Sequence, residues 1–257
     1  MAIFKVGMAL QGEKSQLYFQ QAGWFILGGM IFDALDGFVA RMTRTTSSFG
    51  AMLDSLCDLV TFGVAPGFLV FGVTRGASGA AGVDFMRDQV IPAVGVLYAM
   101  CALIRLARFT VETTPDEESH QLFAGLPTPA AGGVVASIIL LSAPVSSRLP
   151  EALVESTAGV LIRTLPLTLF VLGLLMTSRV PYLHVVNRLF RGFSSFVTLV
   201  EVLLLGVLMY LGQELAFFLL FTGYALSGPI LQVRSRIARA PGGADAGVPV
   251  EEDHEVF

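Results

Sequence analysis

The chain has 257 residues, of which 54% are hydrophobic and only 14% charged, and its mean hydropathy is +0.73. Soluble domains carry about 25% charged residues, so this composition excludes an ordinary water-soluble domain and fits a polytopic helical membrane protein built as one bundle. The net charge of −4, with no basic patch interleaved with aromatics, argues against a nucleic-acid partner. In chain order, the first apolar stretch is MAIFKVGMAL (1–10). At ~1.5 Å per residue it covers about half of the hydrocarbon core. It is expected to be the end of a truncated amino-terminal helix, with about 10–25 residues missing before it. Seven complete spans are predicted to follow, at 21–42, 49–73, 89–110, 125–142, 160–178, 193–211 and 214–233. Residues 1–235 are thus expected to form one membrane-embedded domain with a distinctive hairpin at 21–73. Residues 236–257, rich in Gly, Pro and Ala and then acidic, are expected to be a disordered cytoplasmic tail. Cys57 and Cys101 fall in apolar segments and read as small buried hydrophobes rather than a disulfide framework.

Orientation follows from the basic residues. If the link carrying Arg41 and Arg44 is cytoplasmic, the larger share of the chain's 16 Lys and Arg residues lies on the cytoplasmic side. The hairpin then opens to the cytoplasm. An integral membrane protein whose hairpin faces the cytoplasm is the expected setting.

The segment FDALDGFVARMTRTTSSFGAMLDSLCDLVTFGVAP (32–66) places Asp33, Asp36, Asp54 and Asp58 where lipid would otherwise suit. A charged side chain near the bilayer centre costs about 2.5–3.5 kcal/mol on insertion scales. Asp33 and Asp36 are three positions apart, and Asp54 and Asp58 four, so each pair shares a helix face. The polar link TRTTSS (43–48) joins the two helices as an antiparallel hairpin. About that link, Asp36 mirrors Asp54 and Asp33 mirrors Asp58, so four carboxylates converge about 10–15 Å in from the loop. Left alone they would repel one another. A divalent cation removes the conflict, and an all-oxygen donor set suits Mg²⁺, Mn²⁺ or Ca²⁺ over Zn²⁺. Four carboxylates with shared ligands can hold two ions, the arrangement used for in-line phosphoryl displacement. The competing reading is polar contact between helices or pairing with Arg41 and Arg44; two depth-matched acidic pairs are too costly for that alone. Gly37, Ala40 and Gly50 are small enough to admit a flat or bulky group, although each by itself is more often a helix-packing residue. Arg41 and Arg44 stand where a diphosphate or an acidic headgroup would enter.

The pattern Asp33-x-x-Asp36-Gly37-x-x-Ala40-Arg41, eight residues, Gly50-x-x-x-Asp54-x-x-x-Asp58 resembles the signature of the CDP-alcohol phosphatidyltransferase family at every fixed position. The resemblance implies an all-α polytopic transmembrane bundle holding two Mg²⁺ or Mn²⁺ ions. It implies Asp33, Asp36, Asp54 and Asp58 as metal ligands, with Asp58 also the catalytic base. It further implies Gly37, Ala40, Arg41 and Gly50 as the CDP-diacylglycerol-binding residues. The stretches DSLCDLVTFGVAP (54–66), RLARF (105–109) and FAGLPTPAAGG (123–133) are similar to the serine-using bacterial and archaeal branch. Members of that branch often carry Asn where this chain has Thr110, and Ala where it has Gly132. The implied reaction takes CDP-diacylglycerol and L-serine to phosphatidylserine and CMP, among membrane lipids, in a homodimer.

The carboxylate of free serine calls for an Arg fork, and Arg105 and Arg108 are candidates to bind serine or a substrate phosphate. Either could instead be an anchor snorkelling to the interface. GLPTP (125–129) reads as a rigid start to the next helix, and by resemblance as a wall of the acceptor pocket. Glu201, inside an apolar span, reads as a helix–helix or dimer contact, and His184 as a surface residue. Two alternatives remain at this point: a relative that uses glycerol 3-phosphate or an inositol phosphate, and a divalent-cation transporter.

Overall fold

A computed structural model of the chain describes residues 1–10, 15–43, 47–76, 89–112, 123–142, 151–182 and 212–238. The elements are α1 (Ala2–Ala9), α2 (Ser15–Thr43), α3 (Ser48–Asp58), a π-helical segment (Leu59–Val64), α4 (Ala65–Gly76), α5 (Ile91–Glu112), β1 (Phe123–Ala124), α6 (Thr128–Leu141), α7 (Glu151–Thr177), β2 (Pro181–Tyr182) and α8 (Gln213–Ala238). The fold is all-α and polytopic. Among the described residues the sole strand pairing is the two-residue antiparallel match of β1 with β2.

Four described helices are long and apolar enough to cross a membrane: Phe49–Arg75, Ile91–Thr110, Gly159–Thr177 and Gln213–Val233. Each overlaps a predicted span. α2 has 29 residues and carries the first two aspartates. It starts at Ser15, earlier than the predicted span, and α7 likewise begins at Glu151. The span predicted at 193–211, with Glu201, lies outside the described residues, as do His184 and the tail from 239 onward.

α6 occupies the centre. Every residue from Ala130 to Leu140 is buried, and a helix that is apolar all round is an interior helix. Its small residues admit close neighbours. A Cβ on Gly132 would sit 3.3 Å from the Phe62 ring, and one on Gly133 would stand 2.7 Å from the Phe221 ring of α8. α4 and α5 cross in the same manner, with a Cβ on Gly67 falling 2.9 Å from the Gly95 carbonyl oxygen. Apolar helices have little hydrophobic reason to associate inside lipid, so such close backbone packing supplies the cohesion.

The predicted span 125–142 begins late, at Thr128, for a local reason. Gly125 has φ +90° and turns against the Met176 and Ser178 carbonyls at the end of α7. Its N–H donates to Val180 O at 2.9 Å, and the Leu126 N–H donates to Leu175 O at 3.1 Å. Pro127, in extended backbone, then precedes the first turn of α6. The GLPTP stretch is therefore the rigid helix start that its prolines foretell. Tyr182 ties α8 to this corner: it is fully buried and its hydroxyl donates to Ala225 O at 3.0 Å.

Candidate active site

The hairpin α2–α3 forms around the polar link. Its second arm starts with an N-cap, Ser47, whose Oγ accepts from the Gly50 N–H at 3.0 Å. A Cβ on Gly50 would come 3.1 Å from that same Oγ, so Gly50 also makes room for the cap. Gly37 is different. Among the described residues nothing lies within 4 Å of the place a Cβ would take, so its smallness leaves open space there rather than a helix contact. The side chains of Ala40 and Arg41 lie outside the described residues, as does Arg44.

The structure brings the two arms together at the deep pair of acids. Asp33 on α2 and Asp58 at the end of α3 are both half-buried, and their carboxyl groups approach within hydrogen-bonding reach. Asp54 interacts electrostatically with both, and Asp36 with Asp33. Asp36 and Asp54 are exposed. Two carboxyl groups this close need a proton or a cation between them. Among the described residues no three acidic, His or Cys side chains are gathered as tightly as a metal cluster requires. The donor set is nonetheless all carboxylate, with Asp36 and Asp54 one turn from the meeting pair, and that chemistry fits a hard divalent cation.

Asp58 is followed directly by the π-helical segment Leu59–Val64, a feature that occurs often at functional sites. Three neighbours hold it. The Tyr98 hydroxyl, buried in α5, donates to Phe62 O at 3.0 Å. Gly63 lies against Ala102, and Gly29 of α2 lies against Thr61. The sequence offers no sign of the wide turn, because its apolar pattern runs unbroken from α3 into α4.

Arg105 on α5 reaches into the same region. Its Nη1 donates to Thr128 Oγ1 at 2.7 Å, and it interacts electrostatically with Asp58 and with Tyr224 of α8. Among the described residues its buried Nε has no hydrogen-bond partner. Arg108 is half-buried on the next turn of α5. Thr128 and Tyr224 are therefore residues that sequence reading missed. Thr128 stood within a stretch explained by its prolines, and Tyr224 was one aromatic in a span read by hydropathy alone. The Tyr224 ring packs against Tyr182 with centroids 5.6 Å apart. One sequence expectation is corrected: Cys101 is buried, but Cys57 is exposed. It lies on α3 beside exposed Leu53 and Leu56, and in a membrane protein an exposed face is as suited to apolar residues as a core is.

Comparison with known proteins bears on this site. Among curated relatives, the CDP-diacylglycerol–serine O-phosphatidyltransferase of Helicobacter pylori (strain J99) is 38% identical over 136 residues, 53% of this chain and 53% of the relative. The protein of the same name from Methanocaldococcus jannaschii is 33% identical over 161 residues, 63% of each. Archaetidylserine synthase of Methanothermobacter thermautotrophicus is 38% identical over 117 residues, 45% of this chain and 44% of the relative. The matched stretches thus span about half the length of these relatives. The profile of the CDP-alcohol phosphatidyltransferase family matches residues 1–177, which contain the whole hairpin, Arg105 and Thr128. That match covers more than half of the chain, and the chain belongs to the CDP-alcohol phosphatidyltransferase family.

Proposed function

We propose that this protein transfers a phosphatidyl group from CDP-diacylglycerol to L-serine, releasing CMP, as a step of phospholipid synthesis. The observation that carries the reading is the approach of Asp33 and Asp58 at the head of a signature hairpin, with Arg105 beside Asp58. The relatives named for serine transfer support the choice of acceptor.

Asp58 is the base. It takes the proton of the serine hydroxyl as the serine oxygen bonds to the phosphorus nearer the lipid. The bond from that phosphorus to the bridging oxygen breaks, and CMP departs with the electron pair. Asp33, Asp36, Asp54 and Asp58 would hold two Mg²⁺ or Mn²⁺ ions, which when bound offset charge on the diphosphate. Gly37, Ala40, Arg41 and Gly50 form the nucleotide side of the site, and the open space at Gly37 supports that role. Arg105 receives the carboxylate of serine through a charge-assisted fork, with Arg108 as a second cation on the same helix. The active site faces the cytoplasm of a bacterial inner membrane, because serine and CMP are water-soluble while the diacylglycerol moiety stays in lipid. The protein works as a homodimer of a membrane-embedded domain at 1–235 with a cytoplasmic tail at 236–257.

Membranes carrying the protein, supplied with CDP-diacylglycerol and Mn²⁺, test the reading. CMP release is expected with serine and not with glycerol 3-phosphate or an inositol phosphate. Release with one of those phosphates and none with serine overturns the acceptor. No release with any alcohol, in a chain that binds CDP-diacylglycerol, overturns the activity.

A further inference from the structure

Arg105 is anchored from outside the aspartate hairpin, and the anchor is rigid. Thr128 is fully buried in the first turn of α6. The loop before it is pinned to α7 through the Leu126 N–H and to Val180 just beyond α7 through the Gly125 N–H, and Gly125 leaves no space for a side chain at its φ of +90°. The Thr128 hydroxyl is thus a fixed point, whereas Arg105 sits on a long stem with several rotatable bonds. At 2.7 Å the hydroxyl accepts from Nη1. With Nη1 engaged, the donors left as a parallel pair are Nε and Nη2, which lie along the other edge of the guanidinium and match the two oxygens of a carboxylate. Nε, although buried, has no partner among the described residues. An orphaned buried donor is rare in native proteins and calls for an acceptor.

We propose that Thr128 is a positioning residue: by holding Nη1 it turns the Nε–Nη2 edge of Arg105 to receive the carboxylate of an amino-acid acceptor. This rests on the reading of Arg105 as the acceptor's ligand, and it adds that the selectivity of the site is set partly from the central helix. The same edge would also suit a phosphate of the nucleotide lipid, so the two substrates must be measured separately.

The test uses the full chain in vesicles, with Michaelis constants for serine and for CDP-diacylglycerol. Thr128→Val keeps the shape and removes the hydroxyl. It is expected to raise the constant for serine about tenfold, and by more than that for the lipid. Thr128→Ser is expected to restore the serine constant to within about threefold of the parent, because the hydroxyl returns. In an Arg105→Ala background Thr128→Val should add nothing, since its partner is gone. If Thr128→Val fails to accumulate, Thr128→Ala carries the same comparison. An unchanged serine constant in Arg105→Ala sinks the reading of Arg105 itself. A raised constant in Arg105→Ala with none in Thr128→Val sinks the positioning role alone. Equal loss in Thr128→Val and Thr128→Ser overturns it as a packing effect, and equal rises for both substrates move the edge to the diphosphate.

Discussion

The hairpin α2–α3 and the central helix α6 are built on opposite terms. α6 has no charged residue, is buried over nearly its whole length, and returns the hydroxyls of its later half and C-cap to its own backbone: Ser137 Oγ donates to Val134 O and Ser142 Oγ to Ile139 O, both at 2.9 Å. The hairpin carries the acids and leaves Ile31, Phe32, Leu35, Met52, Leu53 and Leu56 exposed. In water such a surface would be a liability; on a membrane protein it suits a lipid surrounding. The difference separates two tasks. The acidic groups stand on an arm with exposed faces, and the largely buried helix supplies a fixed point, Thr128, for Arg105. Thr128 and Gly132 of α6 touch Arg105 and Phe62, so the interior helix reaches both the cation beside Asp58 and the segment that follows it.

Four changes break or sharpen that contrast. The largest effect belongs to the hairpin. Asp58→Asn is expected to lower turnover at least 100-fold, as loss of a general base does, while CDP-diacylglycerol binding survives. A variant retaining more than about a tenth of the parental rate would refute the base assignment. Arg105→Ala, at the junction of the two regions, should raise the Michaelis constant for serine by roughly 10–150-fold, matching about 1.5–3 kcal/mol for a hydrogen bond to a charged group. Titration of serine at saturating lipid measures it. On the rigid side, Gly125→Ala meets the Met176 and Ser178 carbonyls at a backbone angle that Ala avoids. It should cost about 1–3 kcal/mol of stability, read as a lower unfolding temperature in detergent. The smallest effect is expected for Tyr98→Phe. It removes the hydroxyl that donates to Phe62 O and should cost about 1–2 kcal/mol. A change in the Mn²⁺ concentration needed for half-maximal activity would show that the π-helical turn also aims Asp58; loss of stability alone would confine Tyr98 to packing.

The hairpin was legible because its information is local. Helical spacing groups Asp33 with Asp36 and Asp54 with Asp58, and the length of the polar link matches Asp33 to Asp58, the two carboxyls that meet. The start of α6 was legible for the same reason, since Gly and Pro act on the backbone beside them. The exposure of Cys57 was not legible. Apolar character is required of both a core and a lipid-facing surface, so periodicity cannot distinguish them.

The sequence by itself determined the membrane class, the family signature and the matching of Asp33 with Asp58, because these follow from composition and intervals of a few residues. Tertiary structure decided which polar groups meet across helices: Arg105 with Thr128, 23 positions away, Tyr98 with Phe62, 36 positions away, and Tyr182 with Ala225, 43 positions away. Those partners depend on how helices rotate and cross, and in lipid that is set by small residues such as Gly67, Gly95 and Gly132 fitting against a neighbour. A pattern within one helix marks which face is small. Only the packed bundle selects what lies against it.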